Sequence, residues 1–135
     1  VTVATDLLSG SILGAKVAML GVAFKPDSDD VRDSPALNVA AALHLRGAKV
    51  RVYDPKAMEN ARRLFPTLTY VDSMDEALAD ADLTVLATEW PQFRQMDPER
   101  IGQQVARRMI IDGRNVLDPS AWRAADWTFR GMGRP

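Results

Sequence analysis

The chain has 135 residues, 47% of them hydrophobic and 26% charged, which is enough for one ordinary soluble domain with a real core. Seventeen basic against eighteen acidic residues leave a net charge of −1, which argues against a nucleic-acid or membrane-surface binder, since both draw on an excess of Lys and Arg. With no cysteine and a single histidine, His44, a disulfide scaffold, a thiolate or His-rich metal site and a cysteine nucleophile within the chain are excluded. No apolar run approaches the ~20 residues of a membrane span. The start, VTVATDLLSGSILGAKV, has no basic lead before its apolar part, so it does not read as a signal peptide. A cytoplasmic location is the expectation.

In chain order, Val17 to Leu20 reads as the first strand. Ser34 and Pro35 form a favourable helix start, Leu37, Ala40, Ala41 and Leu45 give that helix an apolar face, and Gly47 stops it. AKVRVYD is the second strand, with Val50 and Val52 on one face. Pro55 is expected to open a short helix to about Leu64, with Pro66 breaking the chain. LTYV is a brief strand; SMDEALADA is a short helix with Ser73 and Glu76 in capping-box spacing. DLTVLAT is a strongly apolar strand, WPQFRQMDPERIGQQVA holds one or two helical stretches around Pro98, and RMIID is a further strand. PSAWRAA is a short helix and WTFRGMG the last strand. Residues 1–14 lie outside this alternation and fit the end of a helix arriving from an upstream domain. Alternating strands and helices build an α/β domain, a three-layer Rossmann-like fold with a mostly parallel, about six-stranded sheet and helices on both faces.

In open α/β sheets ligands bind at the carboxyl ends of the strands, so the segments after Gly21, Tyr53, Val71, Ala87 and Ile111 are the places to search. After the first strand stands GVAFKPDSDDVRDSPAL, with no G-x-G-x-x-G, so a standard dinucleotide loop is absent. Two readings are open. Lys25 and Arg32, held by Asp27, Asp29, Asp30 and Asp33, can meet a diphosphate through side chains, aided by the following helix N-terminus. Alternatively this is a solvated charged loop that leads into a helix cap. Arg114, after the fifth strand in IIDGRNVLDP, adds a cation at the same sheet end; alone it reads as a surface ion-pairing arginine, and with Lys25 it suggests an anionic ligand across the sheet edge.

GVAFKPDSDDVRDSPAL, VYDP, ATEWPQF, DGRNVLDP and the closing GMGRP resemble, in order and spacing, the C-terminal domain of the UDP-glucose 6-dehydrogenases, within the UDP-glucose/GDP-mannose dehydrogenase family. The resemblance covers about residues 15–135. It implies a C-terminal UDP-sugar-binding domain at 15–135, with 1–14 as a stub of the connecting helix from a central domain. Full-length members oxidise UDP-glucose twice to UDP-glucuronate with two NAD+, dimerise through the central helix, and bind NAD mainly in an N-terminal Rossmann domain. By motif, Phe24 and Lys25 of F-K-P and Arg114 of D-G-R-N would bind substrate, and Arg32 would reach the NAD diphosphate across the domain cleft. The family's cysteine nucleophile lies upstream, so no catalytic residue is assigned in this chain. The implied partners are UDP-glucose, the upstream domains and a second copy of the full-length protein, with no nucleic acid and no membrane. The F-K-P-x-x-D-D-x-R-x-S-P motif is shared with dehydrogenases of GDP-mannose and UDP-N-acetylhexosamines, which remain alternatives, as does a free-standing, non-catalytic nucleotide-binding module.

Other residues carry plainer readings. Asp54 is a candidate ribose-binding acid or, from its place before Pro55, an N-cap. Thr88 and Glu89 either frame the cleft or cap the next helix. Trp90 and Phe93 either stack on a base or pack in the core; Trp122 and Trp127 pack. His44 is an exposed residue near a helix C-terminus. Asp29 and Asp30 would suit a phospho-acceptor receiver domain with Asp72 as acceptor, but the fifth strand ends in Asp-Gly-Arg where such a domain needs a lysine.

Overall fold

The computed structural model describes residues 13–22, 35–88 and 90–131. Six strands, β1 (Lys16–Leu20), β2 (Lys49–Tyr53), β3 (Thr69–Tyr70), β4 (Leu83–Leu86), β5 (Met109–Asp112) and β6 (Thr128–Gly131), form one sheet in the order β3-β2-β1-β4-β5-β6, every pair parallel. Between them run α1 (Pro35–Leu45), α2 (Met58–Leu64), α3 (Met74–Leu78), α4 (Pro91–Arg94), α5 (Pro98–Gly102) and α6 (Pro119–Ala124). The right-handed crossover rule sends α1 and α2 to one face and α3 to α6 to the other. Bonds between elements agree: Asp80 N–H donates to Gln104 O, Gln104 Nε2 to Asp75 Oδ1 and Trp127 Nε1 to Pro98 O, tying α3, α5 and β6 together. The α/β architecture expected from the alternation is therefore present, and the sheet expected to be mostly parallel is parallel throughout.

Central strands covered on both faces read as near-continuous apolar runs. All of β4 is buried, as are Val17 to Leu20 of β1. Toward the sheet margin, β2 alternates: Val50 and Val52 are buried, while Arg51 faces α3 and its guanidinium donates to Glu76 O and Ala79 O. A cation thus meets carbonyls that the last turn of α3 leaves unpaired.

Local chemistry explains the helix ends. Ser73 Oγ accepts from Glu76 N–H at 3.1 Å, which is the expected cap of α3. Asp97 and Asp118 cap α5 and α6, each followed by proline at the first helical position. Gly47, at φ +92°, ends α1, with Ala48 N–H returning to Leu43 O and Gly47 N–H to His44 O.

Two local expectations change. In α1 the buried face is Ala36, Leu37, Ala40 and Leu43, and Leu45 is 85% exposed. Nine positions beyond Ala36, Leu45 stands roughly 180° around the helix from the core. The segment opened by Pro55 becomes a turn first, capped by Asp54, which accepts from Lys56 and Ala57 N–H, and α2 begins only at Met58. Among the described residues no helix is long and apolar enough to cross a membrane.

Candidate functional site

The strand order reverses its direction of growth between β1 and β4, and the crevice outside their carboxyl ends is where an open α/β sheet binds ligands. Here the strand pairing runs one residue past each strand. Gly21 N–H donates to Tyr53 O at 2.8 Å, Ala87 N–H to Leu20 O at 2.9 Å and Gly113 N–H to Leu86 O at 2.8 Å. Gly21 then turns with φ +93°, a conformation that glycine adopts without steric cost. A Cβ at Gly21 would lie 2.5 Å from Thr88 Cβ, 2.6 Å from Thr88 Oγ1 and 2.9 Å from Thr88 N. The exits of β1 and β4 are in direct contact, and glycine is the residue that permits it.

Asp54, at the end of β2, is 1% exposed. Its Oδ1 accepts from Lys56 N–H at 2.9 Å and Ala57 N–H at 2.8 Å; its Oδ2 accepts from Val22 N–H at 2.9 Å and Trp90 Nε1–H at 3.1 Å. Among the described residues these four N–H donors engage both oxygens, which compensates the burial of a charge. This overturns the ribose-acid reading, because the carboxylate faces inward and is engaged by the chain itself. The capping reading holds in modified form: Asp54 caps the turn before α2, while the N-cap position of α2 itself is Ala57. Trp90 is 3% exposed and Phe93 is fully buried against Tyr53, rings 6.2 Å apart and edge-on, so both aromatics pack and neither offers a face to a base.

Asp112, fully buried at the end of β5, organises the next turn. Its Oδ1 accepts from Arg114 N–H at 3.0 Å, and its Oδ2 accepts from Val116 N–H and Leu117 N–H at 2.8 Å each. Asn115 takes a positive φ of 57° within that turn, and a Cβ on Gly113 would approach Leu86 O to 2.9 Å. The backbone of Arg114 is thereby fixed, and its side chain is exposed at the carboxyl edge.

Of the site residues expected from sequence, Arg114 is the one among the described residues, exposed in the turn after β5. Phe24, Lys25 and Arg32 lie outside the described residues. The strand order puts β4 between β1 and β5, so the exit carrying Arg114 is two strand spacings, roughly 10 Å, from the exit of β1. Thr88 is buried beneath Gly21 and sits two residues before Trp90, the N-cap position of α4, so it does not cap that helix; Glu89 lies outside the described residues. Trp122 and Trp127 pack edge-on at 4.8 Å, and His44 is exposed in the last turn of α1, both as expected. Sequence reasoning missed Asp112, although Asp-Gly at a strand end followed by Asn is the signature of a side-chain-stabilised turn. It also missed the Asp54–Trp90 bond, which spans 36 residues. Among the described residues no group of three or more His, Cys, Asp or Glu could hold a metal. A separate open groove of about 360 Å³ between α3, α4 and α5, lined by Met74, Asp75, Gln95, Met96 and Arg100 among others, includes none of the strand-exit residues above.

A six-stranded parallel sheet grown in both directions from β1, with a built edge at the reversal point, defines a nucleotide-binding α/β domain of Rossmann type. Residues 18–119 match the UDP-glucose/GDP-mannose dehydrogenase family, UDP binding domain. The chain belongs to that family and is its UDP-binding domain. It is 41% identical over 126 residues to a UDP-glucose 6-dehydrogenase of Rhizobium meliloti, covering 93% of this chain and 29% of that protein. Among solved structures, a UDP-glucose dehydrogenase from Pyrobaculum islandicum superposes with a TM-score of 0.81 at 36% identity, covering 99% of this chain and 28% of the other. An NDP-N-acetyl-D-galactosaminuronic acid dehydrogenase from Methanosarcina mazei superposes at 0.85 and 30% identity, covering 98% and 27%. The chain thus spans under a third of the length of these relatives.

Proposed function

We propose that this chain is the nucleotide-sugar-binding domain, residues 15–135, of an NAD-dependent UDP-glucose 6-dehydrogenase that converts UDP-glucose to UDP-glucuronate. The observation that carries this reading is the 41% identity to the Rhizobium meliloti UDP-glucose 6-dehydrogenase across 93% of the chain. Arg114, presented on a clamped turn at the carboxyl edge, supports it physically. A guanidinium held there can take a diphosphate oxygen pair in a bidentate way. In this reading Lys25 and Phe24 contact the UDP-sugar on the β1 side, and Arg32 reaches the NAD diphosphate across the cleft to an upstream domain. The second reading, a dehydrogenase of a UDP-N-acetylhexosamine or GDP-mannose, is favoured by the high superposition on the Methanosarcina mazei enzyme.

The edge described above does not suit NAD in a standard first-half site. The acid in the ribose-binding position is engaged by internal N–H groups, and the first strand is followed by no G-x-G-x-x-G. NAD would therefore be held mainly by the upstream part of the longer protein. The thiol for covalent catalysis would come from there as well, since this chain has no cysteine. The full-length protein would dimerise through its central helix. What these residues contribute is binding and orientation: two cations fix the diphosphate, and the sugar then projects toward the upstream domain.

In the full-length dehydrogenase, Arg114→Ala and Lys25→Ala are each expected to remove a charge-assisted contact of roughly 1.5–3 kcal/mol and to raise KM for UDP-glucose about 10- to 150-fold. Arg32→Ala should raise KM for NAD+ instead. Steady-state kinetics with UDP-glucose, GDP-mannose and UDP-N-acetylmannosamine checks both site and substrate. Unchanged kinetics in both Arg114→Ala and Lys25→Ala would refute the site. A preference for either other sugar nucleotide would move the assignment to the second reading.

A further inference from the structure

We propose that Asp54 and Trp90 are positioning residues that lock the exit of β1 to the exit of β4, and so set where the segment after Val22 leaves the sheet. The inference rests on the reading that this segment, through Lys25, contacts the nucleotide sugar. One oxygen, Asp54 Oδ2, takes the N–H of Val22 at 2.9 Å and the indole Nε1–H of Trp90 at 3.1 Å. The carboxylate belongs to β2, Val22 follows β1 and Trp90 follows β4, and these three strands are neighbours in the order β2-β1-β4. The bond therefore passes over the end of β1 and joins its two neighbours. Oδ1 is held by Lys56 and Ala57 N–H groups in its own turn, so the carboxylate has a fixed orientation from which to hold the other two.

Trp127 also makes an indole bond, to Pro98 O at 2.9 Å, away from the reversal point and between α5 and β6. Both indoles are 3% exposed. The two tryptophans thus form an internal comparison: equal burial and one indole bond each, Trp90's to a carboxylate and Trp127's to a backbone carbonyl, with Trp90 the one that touches the strand exits.

The test compares Trp90→Phe with Trp127→Phe in the full-length dehydrogenase. Each keeps an aromatic ring and loses one indole N–H. Trp90→Phe is expected to raise KM for UDP-glucose about three- to tenfold with kcat unchanged, and to speed amide exchange at Val22 by a similar factor. Trp127→Phe is expected to change neither KM nor exchange at Val22, while still lowering the unfolding midpoint. Equal KM effects from the two variants, or an unchanged KM in Trp90→Phe alongside faster exchange at Val22, would reduce the bond to a structural one and overturn the proposal. A wild-type enzyme that does not turn over UDP-glucose or another nucleotide sugar would overturn the functional reading, and this inference with it; unaltered exchange at Val22 in Trp90→Phe would overturn the inference alone.

Discussion

Gly21→Ala is expected to destabilise the domain by about 2–5 kcal/mol, the sum of a left-handed alanine and of overpacking against a fixed neighbour. The added methyl would meet Thr88 Cβ at 2.5 Å and, more tellingly, Thr88 backbone N at 2.9 Å. A side-chain end can rotate away; the backbone of β4's exit cannot do so without pulling Ala87 N–H from Leu20 O. For a domain of this size the unfolding midpoint should fall by roughly 7–18 °C. Gly14→Ala provides the control. Gly14 also has a positive φ, 78°, but nothing lies within 4 Å of a Cβ there, so only conformational strain of about 1 kcal/mol is added. Thermal or urea unfolding of the two variants separates contact from strain. Equal losses would mean that the β1–β4 contact is not tight.

Asp112→Ala is expected to cost about 3–5 kcal/mol, because three backbone N–H groups lose a charged acceptor and that of Leu117 is buried. The small cavity adds to this. Asp112→Asn keeps the shape but turns an N–H₂ toward amide donors on one side, so about half of that loss should remain. Both variants free the turn that carries Arg114, and both should raise KM for UDP-glucose in the full-length dehydrogenase. Urea unfolding provides the stability readout. A loss below about 1 kcal/mol in Asp112→Ala would mean that water replaces the carboxylate at these amides and that the turn keeps its shape without it.

Much of this edge was legible from local pattern. The strongly apolar run of Leu83 to Leu86, broken only by Thr84, marked a strand covered on both faces, and Ser73 with Glu76 marked the start of α3. Arg114 could be placed at the carboxyl edge because Gly113 follows an apolar strand. Contacts that span the chain were not legible. The meeting of Gly21 with Thr88 and of Asp54 with Trp90 depends on strand order, which brings β2, β1 and β4 together although tens of residues separate them. Leu45 misled for a simpler reason: leucine is counted as core in a pattern, but the phase of α1 is set by Ala36, Ala40 and Leu43, and a single exposed leucine costs little. Asp54 was ambiguous because a ribose acid and a turn cap occupy the same place after a second strand. Only its four internal donors separate the two roles.

The central claim is that the carboxyl edge of this sheet receives the nucleotide of a nucleotide sugar. It is tested most directly by titrating the isotopically labelled chain with UDP to several millimolar and following its amide resonances. Binding of the lone domain should be weak, and the shifts should gather at Gly21 and Val22, at Thr88, at Gly113 to Val116 and in the segment containing Lys25. An unshifted spectrum, or shifts gathered instead at Met74, Met96 and Arg100 in the groove between α3, α4 and α5, would contradict it.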